Sequence, residues 1–367
     1  MTDTTFAPAD APAIPGLAFR GFRDDSDWTA LAALIRAAHQ ADGVDWLPNA
    51  ESIRIEFENT DVTRIDRDVL FAEVDGRLVA EADAETAIRD GHPVHRLSGV
   101  VHPNWRRRGL GRALLRWNED RARRVAKADA TFGGPDARLG SWVPDGDLGG
   151  GILLRQEGYQ PERYGFTMVR RGLVDVEELS LPDGLEFRAV HPDDHRAIFD
   201  ADEEAFRDHP GHRASTDADF VAHFAEPEID TSLWRVAWDG DQVVGSVMTY
   251  VWRGENETLG VRRGWLEHIS VRRPWRGRGV ARALIASSLA GMRDAGMEEA
   301  MLGVDAENPS GALHLYESMG FAMKDRSTSY RKPLEGPGRL PAADDLDQSP
   351  GDDDSRRDHD DEDRKLR

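Results

Sequence analysis

The chain has 367 residues, enough for two domains that each bury a core. It contains no cysteine, which excludes disulfides, thiolate metal sites and a cysteine nucleophile. A formal net charge of −21, with lysine only at Lys127, Lys324, Lys332 and Lys365, repels nucleic acid and favours cationic small molecules.

No apolar run reaches membrane-spanning length, and the first residues lack a basic region followed by an apolar core, so a soluble cytoplasmic protein is expected. Residues 1–14, rich in Ala, Pro, Asp and Thr, are expected to be a disordered head. From Leu17 the pattern predicts a strand (LAFRGF), a helix (DWTALAALIRAAHQADG), a polar helical stretch from Ala50 to Asn59, and strands VLFAEVDGRLVAEADAET and HRLSGVV. VHPNWRRRGLGRALLRWNEDRARRVA then reads as the end of a strand, a basic loop and a helix. After Leu185 come another strand, helices from Asp193 to Phe206 and Asp217 to Phe224, and a hairpin turning at Asp239-Gly240. Asn256 to Arg263 reads as a loop. GWLEHISV is the next strand, followed by RRPWRGRGVA and the helix RALIASSL; a strand from Met301, a helix from Ser310 to Met319 and closing strands around Phe321 and Ser327 to Arg331 end the order.

The two strand–basic loop–helix units repeat at a constant offset of 170 residues. Arg106, Gly109 and Gly111 match Arg276, Gly279 and Ala281, and Trp105 matches Trp275. LAFRGF against LEFRAV aligns the starts, so the chain is read as a duplication: residues 15–172, a linker 173–183 and residues 184–333. Residues 334–367 form an acidic tail expected to be disordered, in which His359 is read as part of a solvated charge run rather than a metal ligand.

The loop Arg276, Gly277, Arg278, Gly279, Val280, Ala281 opens a helix whose first N–H groups have no partner within the helix. Such amides, with the positive end of the helix dipole, bind phosphate, and the two glycines allow close approach of an anion. The spacing Arg-x-x-Gly-x-Ala lacks the Gly-Lys-Ser/Thr of a nucleotide P-loop and the third glycine of a dinucleotide fingerprint. It resembles the pyrophosphate-binding motif of the GNAT acetyltransferase superfamily, and MLGVDAENPSGALHLYESMGF resembles that family's fifth strand and fourth helix.

The resemblance implies two tandem GNAT domains, each an α/β unit with a mixed central sheet flanked by helices, and acetyl-CoA as co-substrate with no metal. It implies that backbone of Ile269, Ser270 and Val271 bonds the pantetheine arm and supplies an oxyanion donor, that Asn308 bonds the same arm, and that Tyr316 gives its proton to the departing sulfur. Glu267 in LEHISV is the candidate general base, with His268 or water as the alternatives. Strand alternation places Glu267 with Ile269 and Val271 and His268 on the opposite face, unless a bulge intervenes. His209 and His212 fall where such domains shape the acceptor pocket, with ordinary loop histidines the preferred reading.

In the first copy Arg106, Gly109 and Gly111 keep the cradle for a coenzyme, whereas Leu154 stands at the place of Tyr316 and Leu97 at that of Glu267. The expected activity is therefore acetyl transfer to a primary amine of a small molecule by the second copy, with a non-catalytic acyl-CoA-binding regulator as the rival. The sequence leaves the oligomeric state open.

Overall fold

The computed structural model describes residues 7–209, 211–306 and 311–335. The first copy comprises β1 (Leu17–Arg20), α1 (Ser26–Asp42), α2 (Ala50–Glu58), β2 (Val69–Val74), β3 (Arg77–Arg89), β4 (His92–Val101), α3 (Leu110–Ala128), β5 (Arg138–Pro144), α4 (Leu148–Gln156) and β6 (Gln160–Arg171). The second comprises β7 (Glu186–Arg188), α5 (His195–Phe206), α6 (Asp217–Ala225), β8 (Arg235–Asp239), β9 (Gln242–Tyr250), α7 (Arg253–Leu259), β10 (Arg263–Val271), α8 (Val280–Asp294), β11 (Glu299–Asp305), α9 (Ala312–Ser318) and β12 (Ala322–Pro333).

Local sequence explains most boundaries. The β2–β3 and β3–β4 hairpins turn at Asp75-Gly76 and Asp90-Gly91, all four residues having positive φ, the Asp-Gly geometry that suits the strand twist. α1 ends at Gly43 (φ 69°), after which backbone N–H groups close on the His39 and Gln40 carbonyls. The first half of the segment expected to be a loop before β10, Asn256–Leu259, is instead the end of the helix α7. Glu255, buried on that helix, accepts from the Trp265 indole and from the Leu47 backbone, both at 3.3 Å. Asn256 bonds the Arg263 carbonyl (2.8 Å). Tertiary partners thus hold a helix that the polar stretch does not announce.

Twelve strands among the described residues form one sheet, ordered β1-β2-β3-β4-β5-β12-β6-β11-β10-β9-β8-β7. Only β4–β5 and β10–β11 are parallel. At the centre the copies trade their last strands. β6 pairs with β11, from Arg171↔Glu299 to Gly165↔Asp305, while β12 pairs with β5. Met168 of β6 consequently lies in a core with Leu284 and Leu302, and Tyr330 of β12 in a core with Leu139 and Tyr159.

Two termini differ from expectation. Residues 8–14 pack on the first copy: Pro8 is buried, Ile14 adjoins the cluster of Val74, Val79 and Leu110, and Asp10 pairs with Arg116 at 2.8 Å. Leu334, assigned to the tail, is buried and its N–H donates to the Ala137 carbonyl (2.9 Å). From residue 336 the acidic tail, including His359, lies outside the described residues.

Candidate active site

β10 and β11 share a ladder only from Arg263↔Glu299 to Trp265↔Met301. Beyond it β10 runs on to Val271 paired with β9, and β11 runs on to Asp305 paired with β6. The two strands therefore part, leaving the β11-facing edge of β10 without ladder partners from Leu266 onward. Ile269, Ser270 and Val271 all lie on that stretch. Ile269 and Val271 pack on the core under α8, and Ser270 is buried against Ser246, hydroxyl to hydroxyl at 3.3 Å.

The loop after β10 makes one 3₁₀ turn (Arg273–Trp275) and enters α8 through Gly277 (φ 73°) and Gly279 (φ 86°). A side chain at either glycine would meet no atom within 4 Å on its β-carbon, so the space before α8 is open, but the backbone conformation there is one L side chains rarely adopt. Gly279 caps the helix without a side chain, which leaves the amides of its first turn unclaimed. Arg276 braces the loop through Nε to the Val271 carbonyl and Nη2 to the Ala205 carbonyl, both at 2.8 Å. Arg278 and Gly279 face linker residues Leu179–Pro182 across a cavity of about 310 Å³. Val280 is buried and Ala281, beside it, is half-buried. This geometry fits a pyrophosphate.

A β-bulge falls between Leu266 and His268, where the register to β9 steps from Thr249 to Met248. It alters the alternation expected for Glu267. That residue interacts with the Trp252 indole and the field of Tyr250, on the side of the sheet packed by α5 and α6, rather than joining Ile269 and Val271. Glu267 is exposed on the strand, yet the protein around it strips hydration from its carboxyl and raises it. His268 Nδ1 lies 2.8 Å from Asp202 Oδ2 on α5. Burial works to lower that imidazole, but the Asp202 charge and hydrogen bond, with Glu267, outweigh it and raise it. His223 stands behind His268 (ring centroids 5.6 Å) with its Nε2 3.4 Å from the Tyr250 hydroxyl; burial and then the His268 charge lower it to about 4.

Tyr316 on α9 lies in the core beneath α8 with its ring edge-on to Phe321. Burial pushes its phenol up to about 12, and its hydroxyl has no hydrogen-bond partner among the described residues. Asn308 lies outside the described residues. His209 lines the large cavity between the copies, and His212 of the same segment bonds Glu203 at 2.6 Å. Asp202, His223 and Tyr250 carried no motif in the sequence; they join His268 only because α5, α6 and β9 pack over the bulge.

The first copy repeats the backbone and not the chemistry. Arg106 Nε bonds the Val101 carbonyl as Arg276 does Val271, and the Tyr159 N–H bonds the Leu154 carbonyl as Phe321 does Tyr316. Leu154 and Leu97 are buried apolar residues, and the β3–β4 ladder runs from Ala80↔Val101 to Arg89↔His92 with no bulge. Arg106 spends its guanidinium on Asp42 through two bonds of 2.6 and 2.7 Å. Gly109 (φ 92°) is covered by Pro12, and a β-carbon at Gly111 would lie 3.3 Å from Leu153. Among the described residues no group of three or more His, Asp or Glu side chains could hold a metal, and no helix is long and apolar enough to cross a membrane.

Residues 194–321 match the model of the acetyltransferase (GNAT) family, and residues 66–137 match that of an acetyltransferase (GNAT) domain. Mycothiol acetyltransferase of Geodermatophilus obscurus is 33% identical over 315 residues, covering 84% of this chain and 95% of that protein. The enzyme of the same name from Salinispora arenicola is 28% identical over 84% of this chain and 94% of its own length. Among solved structures, a GCN5-related N-acetyltransferase from Sphaerobacter thermophilus superposes with a TM-score of 0.65 at 28% identity, covering 88% of this chain and 98% of that one. A tandem GNAT protein from the clavulanic acid biosynthesis pathway, 18% identical, shares the fold with a TM-score of 0.62 over 88% of this chain and all of its own.

Proposed function

Because the chain belongs to the acetyltransferase (GNAT) family, we propose that its C-terminal half moves an acetyl group from acetyl-CoA to the primary amine of a small molecule by direct attack in a ternary complex. The supporting observation is the asymmetry of the copies: only β10 carries the bulge, with ionisable groups gathered on it beside an open helix start. Residues 15–172 and 184–333 are read as two tandem domains joined by 173–183, the first of them non-catalytic.

Acetyl-CoA supplies a thioester activated toward amines. The amides from Gly277 to Ala281, with Arg278, hold its diphosphate, on a loop that Arg276 keeps in place. The free edge of β10 from Ile269 to Val271 bonds the pantetheine arm as an added strand, and one N–H there stabilises charge on the carbonyl oxygen. Glu267, its carboxyl raised by loss of hydration, takes the proton of the attacking amine. Tyr316 stays protonated at neutral pH and delivers its proton to the departing sulfur. The chain has no cysteine to serve as an acetyl carrier, which agrees with direct attack.

The name shared by the relatives makes mycothiol-type amines the first acceptors to try. Free thiol released from acetyl-CoA is followed with a panel of amines; release that depends on one of them is the expected result. Tight coenzyme binding with no acceptor-dependent release across the panel would leave a regulatory acyl-CoA-binding protein instead.

A further inference from the structure

Where the copies meet, a cavity of about 630 Å³ takes side chains from both. Four arginines converge on it: Arg89 from β3, Arg96 from β4, Arg163 from β6 and Arg213 from the segment before α6. Three have a carboxylate each. Arg89 pairs with Glu85, Arg163 with Asp305, and Arg213 holds Asp219 through two bonds of 3.0 and 2.6 Å. Arg96 has no hydrogen bond or ion pair among the described residues. Arg96 is open to solvent on the cavity side; loss of hydration on its protein side and the like charge of Arg89, opposed by Glu85, lower its guanidinium. In a chain of net charge −21, four guanidiniums against three paired carboxylates leave this concave space, which faces both halves, with a surplus of positive charge.

The cavity adjoins the transfer site. Phe206, on its wall, sets its ring edge-on to His268 at 5.9 Å between centroids. Asp305, on the same wall, ends the strand that parts from β10. Phe206 thus connects the bulge of β10 to the cavity.

We propose that this cavity binds an anionic group, carboxylate or phosphate, on the acceptor amine, with Arg96 of the first copy as its counter-charge. The assignment rests on the C-terminal half being the transferase, and it gives the first copy a part in choosing the substrate.

The test compares matched acceptors by kcat/KM: O-phosphoethanolamine against ethanolamine, and 4-aminobutanoate against 4-aminobutanamide. The two pairs separate phosphate from carboxylate. At least one anionic member should be preferred about tenfold or more, the scale of a charged hydrogen bond. Arg96→Gln should bring that ratio close to one, and Arg96→Lys, which keeps the charge without the planar fork, should leave an intermediate ratio and serves if the glutamine variant does not fold. No preference in the wild type, or a ratio that both variants leave intact, overturns the proposal. If none of the four amines is acetylated, the transferase reading is at fault rather than the anion site. Calorimetry with O-phosphoethanolamine then decides: binding that Arg96→Gln weakens tenfold upholds the site, and absent or Arg96-independent binding overturns it.

Discussion

Pro12 lies on Gly109. A β-carbon added at Gly109 would be 3.3 Å from that of Pro12, whereas the same addition at Gly279 meets nothing within 4 Å. The duplicated helix starts are alike in backbone, with left-handed glycine caps of φ 92° and 86°, yet the chain's own first segment covers one of them. Asp10 anchors that segment to Arg116.

One coenzyme A per chain should therefore bind in calorimetry. Pro12→Gly combined with Asp10→Ala loosens the segment and should expose a second, weaker site, although Arg106 remains engaged by Asp42. Two equal sites in the unmodified chain would contradict the covering role of Pro12.

Tyr316→Phe should lower kcat by about a hundredfold, the usual scale for losing a general acid, with the acetyl-CoA dissociation constant shifted less than about twofold. Thermal stability should barely change, since the hydroxyl has no partner among the described residues. An equal loss of coenzyme affinity would make Tyr316 a binding residue.

Burial raises the Glu267 carboxyl, so a base there is protonated, and idle, to a higher pH than an ordinary glutamate. The acid limb of kcat/KM should accordingly lie above the usual carboxylate range and vanish in Glu267→Gln, with activity down at least a hundredfold. If His268→Gln removes the limb and Glu267→Gln does not, the imidazole is the base.

How far the sequence reaches depends on the distance over which each feature is decided. The loop before α8 is legible because two left-handed glycines and a run of orphan amides are set by adjacent residues. Tyr316 is legible by spacing from the same block. The bulge at Glu267 is not, since it arises from the register of β10 against β9, and with it go the side of the sheet that Glu267 occupies and the pairing of His268 with Asp202. Arg96 reads as one more polar strand residue until β6 and the segment before α6 bring Arg163 and Arg213 to it. The exchange of β6 and β12 leaves no local trace, because both are ordinary strands whichever half they join.

Asp202 raises His268, so their pair contributes stability that is full below the unfolded-state histidine pKa and is lost as pH rises through the higher folded one. Asp202→Asn should cost most stability near pH 5.5 and less above pH 8, by urea denaturation at several pH values. The His268 ring should titrate at lower pH in the variant when followed by NMR. A penalty independent of pH would mean that Asp202 acts through packing, its Oδ1 being buried without a partner.

The strand exchange makes the halves interdependent. Residues 15–172 alone would leave β5 without β12 and strip Tyr330 and Leu334 from the core around Leu139 and Tyr159. Residues 184–333 alone would leave β11 without β6 and lose Met168 from theirs. Each large apolar side chain removed costs about 1.5–3 kcal/mol, and each half also loses a whole strand of backbone bonds, against a typical net stability of about 5–15 kcal/mol. Neither half should fold when expressed separately, whereas co-expressed halves should purify together at one to one. A half that is monomeric alone and unfolds cooperatively in urea would show that its own terminal strand can turn back and complete the sheet, so that the exchange contributes little to stability.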